Sequence, residues 1–526
     1  MHERTRRALA SITAVVLAMT LLYGLSASAQ PRGNILTVAI GSYPSTLDPA
    51  IGVGGPHYRV FVNTYEGLLA YERGTVKLVP ALAQSWSASA DLMVYTFRLR
   101  SGVKFHDGSV LDAEAVKLSF DRLKKLGLGP AIFLDQVKDV QVVDPLTVRI
   151  SLKQPSATFP MGLAKVFVHG KSHARDPDNG RAWLAENVNG TGPFKVARLE
   201  KGQWIMLQRH SDYWKGWPER RLDGVLIRII PDAGTQKLML ERGEIDMGTY
   251  YSIGPDEHPD NLAKKPGIKV VKSRAFRIFI LAMNTQKPNS PLRDKRVRKA
   301  VALAFDYEAM KDVFFGNAEV PNGFLPPGFT AHDPKRPQFK RDAAAARRLM
   351  ADAGFTQGFE IDCRIAQEEE QGRKLGLVVQ ASLKEIGIKV NLVPNPPFAV
   401  LTAELSKLET APAFGVHRLM SPLTADPGSF IRQVFGSTNA GKPYNDSWYQ
   451  NAEVERLLDE AERTADEQKR IELWRKAEGI VVDDQPVLFV VFASPVVEPV
   501  RERVVNYVYH PLEYSGVFPF YEVSLR

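Results

Sequence analysis

Apolar and polar residues follow two different rhythms along this chain. In the first half, short β-branched and aromatic runs dominate. Val94–Leu99 alternates, with Tyr95, Phe97 and Leu99 on one face, which is the period-two signature of a half-buried strand. Ile35–Ile40, Leu146–Leu152, Phe194–Leu199, Trp204–Arg209, Val225–Ile230, Ile268–Lys272 and Phe276–Met283 read as further strands. Between them Asp112 is a helix N-cap, Val116, Phe120 and Leu123 fall on one helical face, and Gly127 ends the run. Near Met283 the texture changes. Val297, Val301 and Ala304 make a helical stripe, and Asp306 and Asp342 cap the helices that follow. Phe359–Ile365, a helix over Gly376–Ile386 closed by Gly387, and Ile388–Leu392 form a strand–helix–strand unit. Two charged helices, about Ala452–Thr464 and Glu467–Val482, precede a last strand at Val487–Phe492.

The N-terminus carries a different signal. Arg4, Arg6 and Arg7 precede a mostly apolar run from Ala8 to Leu25, and Ala27-Ser28-Ala29 follows. This reads as an export signal cut after Ala29 rather than a retained anchor. No Cys follows the run, so a lipid anchor is not expected. Thr5-Arg6-Arg7-Ala8-Leu9 partly matches a twin-arginine signal, and the export route stays open. No later stretch is apolar for about 18 residues, the length a membrane-spanning helix needs.

Composition narrows the classes. At 526 residues, 44% apolar and 24% charged, the chain exceeds what one hydrophobic core serves. Cys363 is the single cysteine, so an internal disulfide and any Cys-rich metal or redox centre are excluded. The formal charge is +9, but the basic residues are scattered, so nucleic acid is not an expected partner. Losing residues 1–29 removes three Arg and one Glu, leaving 497 residues at +7.

Catalytic signatures are absent: there is no GxSxG, HExxH or GxxxxGK(S/T). Gly190-Thr191-Gly192-Pro193 reads as a tight turn into a strand, since Pro193 lacks a donor that a phosphate cradle would use. His169 and His173 have metal-pair spacing, but no third ligand stands near them. Gly52–Gly55 suits either a close backbone approach to a ligand or a plain turn. Glu368-Glu369-Glu370 reads as a solvated helix start.

Several separated segments occur together in one order. They are Leu78-Val79-Pro80 through Trp86, Tyr95–Arg100, Gly102-Val103-Lys104-Phe105-His106-Asp107-Gly108, Gly190–Phe194, Asp212-Tyr213-Trp214, Gly243–Asp246, Met283-Asn284-Thr285, Val297–Ala300 and Tyr449–Asp484. On these the chain resembles the family 5 extracellular solute-binding proteins, receptors of peptide/nickel-type ABC importers, over nearly all of Ile35 to Val505. The resemblance implies an α/β, two-lobed periplasmic-binding-protein fold (type II, with an additional N-terminal subdomain) joined by two crossing segments. Residues 30–70, 188–281 and 494–526 would form lobe I, 71–187 the subdomain and 282–493 lobe II. It also implies a monomeric periplasmic receptor with no cofactor and no catalysis. Such a receptor captures a peptide-like or other small solute between its lobes and delivers it to an inner-membrane permease and its ATPase. The alternatives are a secreted hydrolase or transferase on the same scaffold and a non-transport solute sensor. His106 lies beside an Asp-Gly turn, so its role reads as structural.

One stretch departs from the peptide receptors of that family. Their Gly-Trp-x-x-Asp ahead of an Asp-Pro supplies a carboxylate for the peptide's ammonium. Here Leu419-Met420-Ser421-Pro422-Leu423-Thr424-Ala425-Asp426-Pro427 keeps Asp426-Pro427, but Met420 stands in the Trp position and Leu423 in that of the anchoring Asp. An ammonium against Leu423 would be unpaired, so peptides with a free N-terminus are not the expected ligand. His417 and Arg418 offer donors to a carboxylated solute, although Arg418 facing solvent is an equal reading. Tyr43, Tyr65, Tyr250, Tyr251 and Phe398 are candidate aromatic walls on loops near the expected cleft.

Overall fold

The computed structural model describes residues 33–173, 176–248, 259–365, 370–442, 444–512 and 519–526. The export signal, Tyr250, Tyr251, Glu368 and Glu369 lie outside them. No helix among the described residues is long and apolar enough to cross a membrane.

Three sheets organise the chain. In the first, Ile35–Ile40 runs parallel to Gly224–Ile229, which continues antiparallel to Trp204–Arg209 and Phe194–Glu200. A second pair, Ile268–Ser273 and Val496–Arg501, joins it through Met247, which bridges Val38 on one side and Val500 on the other. The second sheet is antiparallel, in the order Ala83–Ala88, Val94–Leu99, Thr147–Leu152, Val137–Asp144. Tyr95, Phe97 and Leu99 all face inward there, as the alternation predicts. The helix Ala113–Leu126 covers that sheet. Asp112 accepts the Ala115 N–H at 2.9 Å to start it, and Gly127 ends it at φ 61°. Val116, Phe120 and Leu123 share one core with Phe97, Val140 and Ile150.

The third sheet is mixed. Phe359–Ile365 and Ile388–Pro394 are parallel and joined by the helix Glu370–Lys384, so the expected strand–helix–strand unit is present. That helix begins six residues before the expected Gly376, because its first turn is polar and its apolar face starts only at Leu375. Phe414–Met420, Ile278–Met283 and Val487–Phe492 complete the sheet.

Two short segments cross between the first and third sheets. One is residues 274–277, the other residues 493–495, and they bond to each other: Ala493 N–H donates to the Arg277 carbonyl (3.0 Å) and Ala275 N–H to Ser494 Oγ (3.3 Å). Buried Arg277 braces them by donating to the Tyr509 hydroxyl at 2.7 Å. The crossing thus falls before Ile278, not at the expected 281/282 division. Ile278–Met283 pairs along its length with strands of the third sheet, so splitting it would break that ladder.

Candidate functional site

A cavity of about 300 Å³ is walled by the first sheet's helix and strand ends, the subdomain and the C-terminal return. The helix Gly55–Thr64 runs directly into it. Pro at the helix start suits the first turn, and the chain leaves the helix at extended Tyr65. The turn Gly190–Gly192 packs against that exit so closely that a Cβ at Gly190 would lie 2.0 Å from the Thr64 carbonyl oxygen. The Gly residues therefore serve backbone contact there, as the tight-turn reading expects.

Tyr65 is fully buried at the back of the cavity, with its ring 5.9 Å from Phe61 and 6.2 Å from Phe167. The next residue, Glu66, is held by neutral donors. Thr191 Oγ1 (2.9 Å) and Trp214 Nε1 (2.8 Å) donate to Oε2, and the Tyr213 hydroxyl (2.9 Å) donates to Oε1. Burial pushes the Glu66 carboxyl up, while Lys215 and these bonds pull it down. Lys215 is the cation that acts on it. The Lys165 ammonium sits 5.5 Å from the Tyr58 ring, and Lys215 and Arg100 lie 4.9 Å and 4.6 Å from the Trp214 ring. Arg73 pairs with Glu522 through Nη1, while its Nη2 is buried in the wall with no hydrogen-bond partner among the described residues. Tyr71 forms the side toward lobe II. Its hydroxyl donates to the Met161 carbonyl (2.8 Å) and accepts the Ala425 N–H (3.0 Å), and its ring meets His510 at 5.9 Å. The cavity thus combines aromatic walls and a saturated carboxylate with a guanidinium donor that lies beneath its surface.

Of the residues singled out from sequence, Tyr65 lines this cavity. The others are placed elsewhere. Met420 is packed in the lobe II core opposite Ile278, where its thioether fills apolar space. Asp426 caps the helix Pro427–Phe435, accepting the Gly428 N–H at 2.8 Å, so its carboxylate is committed to helix donors. Arg418 faces neither solvent nor the cavity. It forms a two-point ion pair with buried Asp446 and lies 5.8 Å from the Tyr444 ring. Tyr43 is half-buried against the lobe I core, and burial pushes its hydroxyl pKa up. His417 contributes backbone to the third sheet opposite Leu281, and Phe398 opens the helix Phe398–Leu405; neither side chain is among those described. Leu423 is half-buried.

The residues that sequence reading missed share one signal. Glu66 stands alone in Val62–Tyr71 and Lys165 alone in Met161–Val168, each a lone charge in an apolar stretch. Such a charge is buried at a cost unless something answers it.

Other chemistry recedes. His169 is buried, with Nδ1 3.0 Å from the Gly170 carbonyl, and among the described residues no cluster could hold a metal. His106 Nε2 lies 3.1 Å from the Gly192 carbonyl, a structural role as expected. A wider groove of about 710 Å³ runs between helices Ala452–Glu462 and Glu467–Asp484. Several of its charges are already paired, Arg456 with Glu453 and Glu460 and Lys295 with Asp484.

Comparison with known proteins supplies the family. Over 511 residues the chain is 29% identical to a protein of Escherichia coli named as a probable D,D-dipeptide-binding periplasmic protein, covering 95% of this chain and 96% of that one. It is 29% identical to a heme-binding protein of Haemophilus influenzae over 525 residues, covering 94% and 92%. The structure of a periplasmic binding protein from Helicobacter pylori in complex with the peptide STSA superposes with a TM-score of 0.77 at 28% identity, covering 94% of this chain and 98% of that one. The family described as bacterial extracellular solute-binding proteins, family 5 Middle, matches residues 77–442. That match spans well over half of the chain, which therefore belongs to this family of non-catalytic receptors, the substrate-binding proteins of ABC importers.

Proposed function

We propose that this receptor takes a small carboxylated solute lacking a free ammonium group, works in the periplasm after cleavage behind Ala29, and hands its cargo to an inner-membrane permease driven by an ATPase. The observation that carries the reading is the buried Nη2 of Arg73 in the cavity wall, which has no partner among the described residues. An unmet buried donor costs about 1–3 kcal/mol, and a bound carboxylate removes that cost. The complementary observation is negative charge that is already spent. Glu66 accepts from three residues, and half-buried Leu423 stands where the resembled peptide receptors place their acidic anchor. The relatives' names include peptides and heme, and here the lone-charge chemistry favours the carboxylate. The lobe divisions at 70/71, 187/188 and 493/494 belong to the same proposal.

Calorimetry with three matched compounds tests it. N-acetylphenylalanine carries the carboxylate and an aromatic ring, its amide lacks the charge, and Ala-Phe adds the ammonium. The acid should bind at least tenfold more tightly than the other two. Equal or tighter binding of Ala-Phe would overturn the proposal. Native mass spectrometry of the freshly purified protein then identifies a retained solute.

A further inference from the structure

The subdomain is docked on lobe II as well as on lobe I. Ser156 Oγ lies 3.0 Å from Glu462 Oε1, the Ala157 N–H donates to the Glu462 carbonyl at 2.8 Å, and the Thr158 side chain bonds Asp426. Ser156 and Thr158 are buried in this seam. Tyr71, Val76 and Met161 of the subdomain pack against the lobe II core that contains Met420, Ala425 and Phe430.

One residue belongs to both the seam and the cavity. The Tyr71 ring walls the cavity, while its hydroxyl links lobe II to the subdomain in a directed chain, Ala425 N–H to Tyr71 O–H to the Met161 carbonyl. Ala425 directly precedes Asp426, the cap of the helix Pro427–Phe435. A shift of the Tyr71 ring therefore reaches the start of a lobe II helix through one hydrogen bond. We propose that Tyr71 is the positioning residue that couples occupancy of the cavity to closure of lobe II. The coupling rests on the cavity being the solute site, as proposed above. A solute packed against the ring favours the rotamer in which the Ala425 bond is made, and so favours the docked arrangement by its differential contacts. Dipoles aligned head to tail along the chain strengthen the link.

The test measures the distance between lobes directly. Gln203 is exposed on lobe I and Ala381 on lobe II, and Cys363 is buried, so spin labels at Gln203→Cys and Ala381→Cys report the separation. Tyr71→Phe keeps the ring and removes both bonds of the hydroxyl. Without any solute, it should lengthen and broaden the distance distribution relative to the parent. With saturating N-acetylphenylalanine the parent should shorten, while Tyr71→Phe should bind about three- to tenfold more weakly, the scale of one net hydrogen bond, and should not close. Ser156→Ala loosens the seam away from the cavity. It should lengthen the solute-free distance yet still close on the probe. Identical distributions in the parent and Tyr71→Phe would overturn the coupling, as would loss of closure in Ser156→Ala but not in Tyr71→Phe. Should the probe bind neither protein, the carboxylate reading falls and the coupling falls with it, whereas a probe that binds and closes both proteins alike overturns the coupling alone. Urea midpoints of both variants confirm that each is folded.

Discussion

Glu66 in the cavity wall and Asp446 in lobe II are both carboxylates that burial pushes up in pKa, and they are stabilised by opposite means. Asp446 is answered by one cation, Arg418, so the pair is closed and nothing remains to meet a solute. Glu66 is answered by three neutral donors at hydrogen-bonding distance, with Lys215 acting on it as well. The lesson is about where recognition resides. A charge balanced by its opposite within one lobe is architecture, whereas a charge balanced largely by neutral groups marks the cavity proposed as the solute site.

The two regions also answer acid in opposite senses, and this is where the largest effect is expected. Burial lowers His106 and His169, at the subdomain–lobe I contact, from 6.5 to about 4. Their unfolded forms bind protons first, so stability is fully present above pH 6.5 and is lost as pH falls toward about 4. The loss approaches about 3 kcal/mol for each histidine. Asp426, Asp446 and Glu462 of lobe II are raised, chiefly by burial, so folded lobe II takes up protons first and gains stability over the mildly acidic range. Hydrogen exchange between pH 7 and pH 4.5 should therefore show protection falling in residues 94–192 before it falls in the third sheet. Uniform loss across both regions would break the comparison.

The Arg418–Asp446 pair offers the next test. Both side chains are largely buried, so Arg418→Met leaves a carboxylate without its cation and should cost about 3 kcal/mol in urea unfolding. Affinity for N-acetylphenylalanine should change by less than about twofold, since Arg418 does not line the cavity. A collapse of affinity with little change in stability would return Arg418 to the role that its sequence position suggested.

That misplacement shows what the sequence could carry. Period-two alternation at Val94–Leu99, the cap at Asp112 and the unit from Phe359 to Pro394 were readable because each depends on neighbours a few residues apart. The crossing near Arg277 was visible as a change of texture, displaced by the ladder that continues Ile278–Met283. The cavity draws on residues from Val62 to Glu522, so no window of sequence contains it. Arg418 and Asp426 looked like ligand groups because each partner, Asp446 or the Gly428 N–H, is set by folding and not by spacing. Glu66 and Lys165 were detectable in principle as lone charges in apolar stretches, but pairing each with its answer needed the structure.

Arg73 supplies the smallest effect on stability and the sharpest contrast with Arg418. Its pair with Glu522 is partly exposed, at 29% and 51% of the two side chains, so solvent screening limits its contribution to about 0–1 kcal/mol. Arg73→Gln should accordingly shift the urea midpoint only slightly, because removing the guanidinium also removes the unmet Nη2 donor. Binding should respond differently. A carboxylate that met Nη2 loses a charge-assisted bond, so affinity for N-acetylphenylalanine should fall about tenfold while that for its amide barely moves. The ratio between acid and amide is the decisive quantity, since any general loosening of the wall lowers both together. An unchanged ratio in Arg73→Gln would mean that the cavity's spare donor is answered by something other than a solute carboxylate, and the contrast between a closed lobe II pair and an open cavity cation would lose its functional meaning.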